Sequence, residues 1–287
     1  MLFCASSKAL LIGSAFLVVQ SRSLSLIASK SLSRDEARHV VDHALCPIHQ
    51  ERERNLAALE AYGGVPASIT NDDPRTEYTY GEFPYNSVDL LVDRSQKYVT
   101  RRDDDGRTNF VDLGSGSGRL VFYQCLTRRN WETHGIEISQ QFHDLALGSC
   151  AVGQAEGFFG PDTGQPDASR LAFHNGNALG VEDEFFAHTR SEDNERIQRV
   201  LSTAHILFAY SSVWETERTQ PFSQDLQAMI LSSKWSERLA EVCPQGCVAI
   251  TTDRALSPDF GWKLVDRADV ENPSLFGSTG FISVLEK

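Results

Sequence analysis

The apolar positions of this chain change period several times, and each change marks a predicted element. Between 76 and 99, Val88, Leu91, Val92, Ser95, Tyr98 and Val99 recur at helical spacing, which predicts a helix packing one stripe on a core, with Pro84 near its start. Phe110, Val111 and Leu113 then form a short continuous apolar run, as in a strand buried on both faces. Arg119 to Leu126 reads as a helix, and HGIEIS at 134–139 reads as a second strand ending in an acid. Further short runs predict strands over 170–174, 204–209, 247–252, 262–265 and 281–285. Leu226, Ile230, Leu231 and Leu239 predict a helix over 224–241. Upstream, 35–45 and 50–61 read as two helices divided by Pro47 and closed by Gly63-Gly64. Two stretches, 153–167 and 181–199, have loop composition and are expected to project as insertions.

The link between the first two central strands carries the chemistry. In DLGSGSG at 112–118, Gly114, Gly116 and Gly118 let the chain reverse while a ligand approaches bare backbone. The helix that follows turns its free N-terminal amides toward the same ligand. Glu137 ends the next strand, where a carboxylate accepts from two ribose hydroxyls. Strand, glycine turn, helix and acid-ended strand make a nucleotide-binding half-fold. The glycine spacing then separates the cofactors. A dinucleotide fingerprint, G-x-G-x-x-G, needs a glycine where Arg119 stands, and the third glycine here falls one position early. Asp112 would also repel phosphates and attract a cationic amino acid. S-adenosylmethionine (SAM) has that character.

On these residues the chain resembles the class I, seven-β-strand SAM-dependent methyltransferases, whose first motif, (D/E)-x-G-x-G-x-G, is matched in full at 112–118. The resemblance covers about 77–287 and implies an α/β fold: a Rossmann-like, seven-stranded, mostly parallel sheet with helices on both faces, here with an N-terminal helical extension. It implies a SAM site built from Asp112, Gly114, Ser115, Gly116, Gly118, Glu137 and Ile138, with the adenine contact on Asn177 beside Ala178. Asn177 replaces an acid there, and its amide oxygen can still accept from the adenine amino group. Tyr78-Thr79-Tyr80-Gly81-Glu82, ahead of the glycine strand, resembles a narrower group, the disruptor-of-telomeric-silencing family of histone-lysine methyltransferases. In that family a Tyr-Gly-Glu loop folds over the methionine part of SAM, which would give Tyr80, Gly81 and Glu82 the amino-acid end of the cofactor. That family carries a pair of asparagines where this chain has Tyr210-Ser211.

The fourth strand ends in Tyr210-Ser211-Ser212-Val213-Trp214, and the crevice of an open parallel sheet lies beyond such strand ends. Tyr210 and Trp214 are therefore candidates for an apolar acceptor channel, which lowers an amine's pKa by disfavouring its cation, with Ser211 or Ser212 as hydrogen-bonding groups. Glu82 is the acid placed to steer an ammonium. Protein lysine is the leading acceptor. A small-molecule O- or N-methyltransferase using 35–61 as a substrate cap is the alternative, and a SAM-binding module without catalysis is the third reading.

Composition bounds the rest. At 287 residues, 41% of them hydrophobic, the chain can bury one substantial core. The formal charge is −12, although the first 34 residues hold Lys8, Arg22, Lys30 and Arg34 and no acid, so the remainder is more acidic still. Such a body argues against direct nucleic-acid binding and favours a basic protein or peptide partner. The apolar run from 9 to 19 has the size of a signal-peptide core and is too short to span a bilayer. A Ser-rich, acid-free stretch follows it, and with Ala15-Phe16 at the join it resembles bipartite leaders to plastids of secondary origin; a mitochondrial presequence comes next and secretion third. The expected division is a leader over 1–34, a helical extension over 35–76 and the methyltransferase domain over 77–287. His39, His43, Cys46 and His49 are read as helix residues rather than metal ligands, because Pro47 bends the chain among them. Cys243 and Cys247 are read as flanking a turn, and the six scattered cysteines suit a reduced compartment.

Overall fold

The computed structural model describes residues 31–47, 81–100, 106–159, 170–180, 191–223, 226–273 and 275–286. The leader before residue 31, the expected helix over 50–61, and His49, Tyr78 and Tyr80 lie outside the described residues. In chain order the helices are α1 (Arg34–Val40), which runs on as a π-turn (Val41–Leu45), α2 (Tyr85–Ser95), α3 (Arg119–Thr127), α4 (Gln140–Ala155), α5 (Ser191–Thr203) and α6 (Ser233–Val242). The strands are β1 (Thr108–Leu113), β2 (Trp131–Glu137), β3 (Leu171–Asn175), β4 (Ile206–Ala209), β5 (Thr216–Ser223), β6 (Leu226–Leu231), β7 (Val248–Thr252), β8 (Arg254–Ala255), β9 (Trp262–Val270) and β10 (Ser278–Leu285).

Seven strands form one sheet in the order β3-β2-β1-β4-β7-β10-β9, parallel except for β10, which runs antiparallel to both neighbours. The strand order reverses beside β1, so the crevice at its carboxyl end is the topological switch point. Successive side chains alternate between faces. Phe110, Ile206, Phe208, Val248 and Ile250 face a core shared with α1, α2 and α3. Val111, Leu113, Leu207, Ala209 and Ala249 face a second core with α5 and α6. Both faces are covered, which is why these strands read as continuous apolar runs.

The N-terminal segment is integral to the first core. Ala37, Val41 and Leu45 are essentially inaccessible, and Leu32 donates its N–H to the Leu126 carbonyl at 3.3 Å. Ser33 starts α1 with a capping box, accepting from Glu36 N while Glu36 accepts from Ser33 N. The leader boundary expected at 34 therefore falls inside folded chain. Asp89 on α2 draws three elements together: Arg38 lies 3.2 Å and Arg34 3.4 Å from its Oδ2, to which Tyr123 donates at 2.6 Å. A buried carboxylate is tolerated where several donors surround it in this way.

Three expectations are corrected. The helix over 224–241 begins only at Ser233; Leu226–Leu231 is strand β6, antiparallel to β5 in a small second sheet completed by β8. Leu226 and Ile230 are four apart, a spacing shared by a helix stripe and one face of a strand; Ala228 and Ile230 are buried while Met229 between them is 41% exposed, which is the strand period. The insertion over 181–199 ends in helix α5, whose Ile197 and Leu201 are fully buried among polar neighbours. The insertion over 153–167 starts inside α4, and Phe158 and Phe159 beyond it are buried, Phe159 stacking on Phe122. Among the described residues no helix is long and apolar enough to cross a membrane.

Candidate active site

The glycine turn leaves β1 at the switch point and is fastened to the end of β2. Gly114 N and Ser115 N both donate to the Ile136 carbonyl, at 2.9 and 3.1 Å. Gly116 N donates to Glu137 Oε2 and Ser139 N to Glu137 Oε1, both at 2.8 Å, so one carboxylate ties the turn after β1 to the turn after β2. Gly118 caps α3 at φ +84°, and a Cβ there would lie 2.6 Å from the Phe173 ring, so side chains are barred by both conformation and space.

The ends of β2 and β3 meet beside it. Gly176 N donates to the Glu137 carbonyl, and Asn175 Nδ2 donates to the carbonyls of Glu137 and Ile138. Asn177 and Ala178 follow directly, both buried, with Asn177 Oδ1 accepting from Leu179 N at 2.9 Å. The amide oxygen assigned to adenine thus also holds its own turn.

On the other side, the loop before α2 approaches the end of β4. A Cβ at Gly81 would lie 2.9 Å from Tyr210 Cε1, and Phe83 packs on Tyr210 with ring centroids 5.1 Å apart. Asn272 Nδ2 donates to the Tyr210 hydroxyl at 2.9 Å. A cavity of about 40 Å³ lies between, lined by Gly81, Phe83, Asp112, Gly114, Arg119 and Tyr210 among others. It matches one end of a nucleoside ligand, a small charged group, rather than the whole. The larger concavity, about 610 Å³, is an open groove along edge strand β9 and shares no lining residue with the glycine turn.

The acids of the site differ. Asp112 is 3% exposed and no hydrogen bond from the described residues reaches its side chain; burial, and then the nearby Glu137, push its pKa well up. Glu137 is also pushed up by burial, against the opposing pull of the Ser139 and Gly116 amides. Glu82 stands 3.7 Å from Arg119.

Two expected acceptor residues are corrected. Ser211 does not line the cavity: it is fully buried, donates to the Thr252 carbonyl at 2.9 Å and accepts from Thr252 N at 3.1 Å, so it ties β4 to β7. Trp214 is 9% exposed and stacked on Trp235 at 4.0 Å, its edge against Gly114, so it supports the turn from below. Tyr210 remains at the cavity. Ser212 hydrogen-bonds Asp253, a residue at positive φ beyond β7. Sequence reasoning missed Phe83, Arg119 and Asn272 as neighbours of the site; only Arg119, directly behind the motif, carried any local signal. Cys46 is buried with Sγ 3.7 Å from the Ser117 carbonyl, and the His39 and His43 rings meet at a tilt with centroids 4.4 Å apart. Cys247 N closes a turn onto the Pro244 carbonyl, as the cysteine spacing implies. Among the described residues no three metal-ligating side chains converge.

The residues present suit SAM. A buried carboxyl with no hydrogen bond from the described residues and a half-buried guanidinium line one small cavity, charges complementary to the zwitterionic amino-acid end of that cofactor.

The family model for histone methylation protein DOT1 matches residues 65–180, which include the Tyr-Gly-Glu loop and the glycine motif. No curated protein matches the chain. Among solved structures, TrmN from Thermus thermophilus aligns at 13% identity and a TM-score of 0.39, over 69% of this chain and 48% of its own, so this chain spans about half of that protein. Magnesium protoporphyrin IX methyltransferase from Synechocystis PCC 6803, with bound SAM, aligns at 12% and 0.39 over 82% and 97%. A SAM-dependent methyltransferase from Thiobacillus denitrificans in complex with S-adenosyl-L-homocysteine aligns at 13% and 0.40 over 77% and 100%. With its seven-stranded sheet and complete glycine motif the chain has the architecture and first motif of the class I SAM-dependent methyltransferases, and over residues 65–180 it is similar to the DOT1 histone methylation proteins.

Proposed function

We propose that the protein transfers the methyl of SAM to a lysine amine of a basic protein. The single observation that carries this reading is the DOT1 match over 65–180, because it covers the Tyr80-Gly81-Glu82 loop that the narrower resemblance rests on as well as the glycine motif. A net charge of −12 supports a basic polypeptide as partner. Bound SAM supplies a sulfonium methyl that is already electrophilic, so alignment and exclusion of water are what the chain must add.

The residue roles follow from that reading. Glu137, with Ile138 beside it, accepts from the ribose hydroxyls; Asn177 and Ala178 border the adenine; Asp112 takes the cofactor ammonium; Gly114, Ser115, Gly116 and Gly118 bring backbone close to the ligand. Gly81 and Glu82 cover the methionine end, a role that the family resemblance also gives to Tyr80. Tyr210 and Phe83 give the incoming amine an apolar wall that favours its neutral form. We read the segment before residue 31 as an address to a plastid or mitochondrion, which a fluorescent fusion of residues 1–34 tests by its destination.

The acceptor is tested by incubating purified protein with tritiated SAM and core histones or total organelle proteins. Label recovered as N-methyllysine supports the reading. Label confined to small molecules replaces it with a metabolite methyltransferase, and SAM binding without transfer replaces it with a binding module.

A further inference from the structure

In the sequence, Arg119 marks only the position where a dinucleotide fold would carry glycine. In the fold it opens α3, and its side chain, 19% exposed, borders the cavity that also holds Asp112. Its surroundings hold it in place. Nε donates to Asp42 Oδ1 at 3.2 Å, Nη1 donates to the Phe83 carbonyl at 3.4 Å, and the guanidinium carbon lies 3.8 Å from the centre of the Tyr85 ring. Asp42 is itself fixed, because Tyr85 donates its hydroxyl to the same Oδ1 at 2.8 Å. Among the described residues Nη2 has no hydrogen-bond acceptor, which leaves one arm of the planar fork for a ligand.

Asp42 arrives from far away in sequence. It lies in the π-turn Val41–Leu45, a local widening of the helix that often accompanies functional sites. That turn is anchored on both sides: Val41 and Leu45 are buried, Ser149 donates to the Leu45 carbonyl at 2.6 Å, and Cys46 Sγ approaches the Ser117 carbonyl of the glycine turn. Through Asp42 the N-terminal segment therefore touches a residue that lines the cofactor cavity. Within the cavity, the unbonded carboxyl of Asp112 and the fork of Arg119 present opposite charges, as an amino acid's ammonium and carboxylate require. Asp42 and Glu82 leave the surroundings net negative, which suits SAM, a ligand whose sulfonium makes it a cation overall.

We propose that Arg119 binds the carboxylate at the methionine end of SAM and that Asp42, carried in by the N-terminal helix, is the positioning residue that aims it. The inference rests on the SAM site proposed above. It assigns the N-terminal segment a role in cofactor recognition that its sequence does not disclose.

The test is calorimetric and needs no methyl acceptor. SAM is compared with decarboxylated SAM, which keeps the ammonium and sulfonium and lacks only the carboxylate. The wild type is expected to prefer SAM, and Arg119→Met to lose about tenfold or more in SAM affinity with decarboxylated SAM unchanged, as removal of a charge-assisted hydrogen bond requires. Arg119→Lys should restore part of the preference. Asp42→Asn should narrow it in the same direction by a smaller factor, as befits a residue acting through Arg119, and should have no further effect in the Arg119→Met background. Equal weakening of both ligands in the variants, or an unchanged preference, overturns the proposal while leaving the SAM site standing. A wild type that binds neither ligand overturns the site and the proposal together.

Discussion

Two acids set the properties of the site, and they are held differently. Glu137 has a backbone amide on each oxygen, whereas Asp112, equally withdrawn from water, has no hydrogen bond from the described residues. Ionised Asp112 is therefore a cost to the ligand-free fold that a bound cation would offset. Its folded-state pKa is raised above the ordinary aspartate range, so that cost is present above the raised value and disappears as pH falls into the ordinary range. Asp112→Asn should accordingly raise the melting temperature of the ligand-free protein at neutral pH, the difference from wild type shrinking in acid, while SAM affinity falls. Thermal unfolding across pH, paired with calorimetry, checks both signs; an Asn variant less stable at neutral pH contradicts the assignment. Glu137→Ala removes the brace on Gly116 together with the proposed ribose contact and should weaken SAM by about ten- to a hundredfold by calorimetry. The sequence disclosed these two acids because each sits at a strand end beside a glycine turn. It disclosed neither Asn272 nor Phe83, whose nearness to Tyr210 exists only after the chain has folded.

At the scale of elements, the N-terminal helix is the part whose role changes most. Its apolar positions, Ala37, Val41 and Leu45, are spaced for one face and all three are buried against the central domain. Leu45→Ala should cost about 2–5 kcal/mol, read as a lower urea midpoint with an unchanged slope. A chain beginning at residue 31 should fold like the full chain, and one beginning at residue 48 should lose both stability and SAM affinity; equal behaviour of the two would contradict the packing described. The helical pattern of this segment was legible, but its destination was not, because amphipathicity reveals a buried face and not the surface that covers it. Strand β6 was misread for a related reason. Positions four apart satisfy both periods, and only pairing with β5 selected the strand.

At the scale of the whole molecule, the sheet order and the crevice beside β1 follow from patterns that lie within short stretches of sequence, which is why the fold and the methyl donor could be read from DLGSGSG and one acid downstream. The surroundings of Tyr210, the proposed acceptor wall, are assembled from distant segments, namely the loop before α2, the end of β4 and the β9–β10 turn that carries Asn272. A net charge of −12 makes encounter with a basic protein salt-dependent, so labelling of such a substrate should fall as ionic strength rises through the physiological range. The most direct test is methyl transfer from tritiated SAM to core histones or organelle proteins, read by mass spectrometry and run beside Gly116→Arg. The account predicts N-methyllysine in the wild type and none in the variant; label found only on small molecules, or equal labelling by the two proteins, would contradict it.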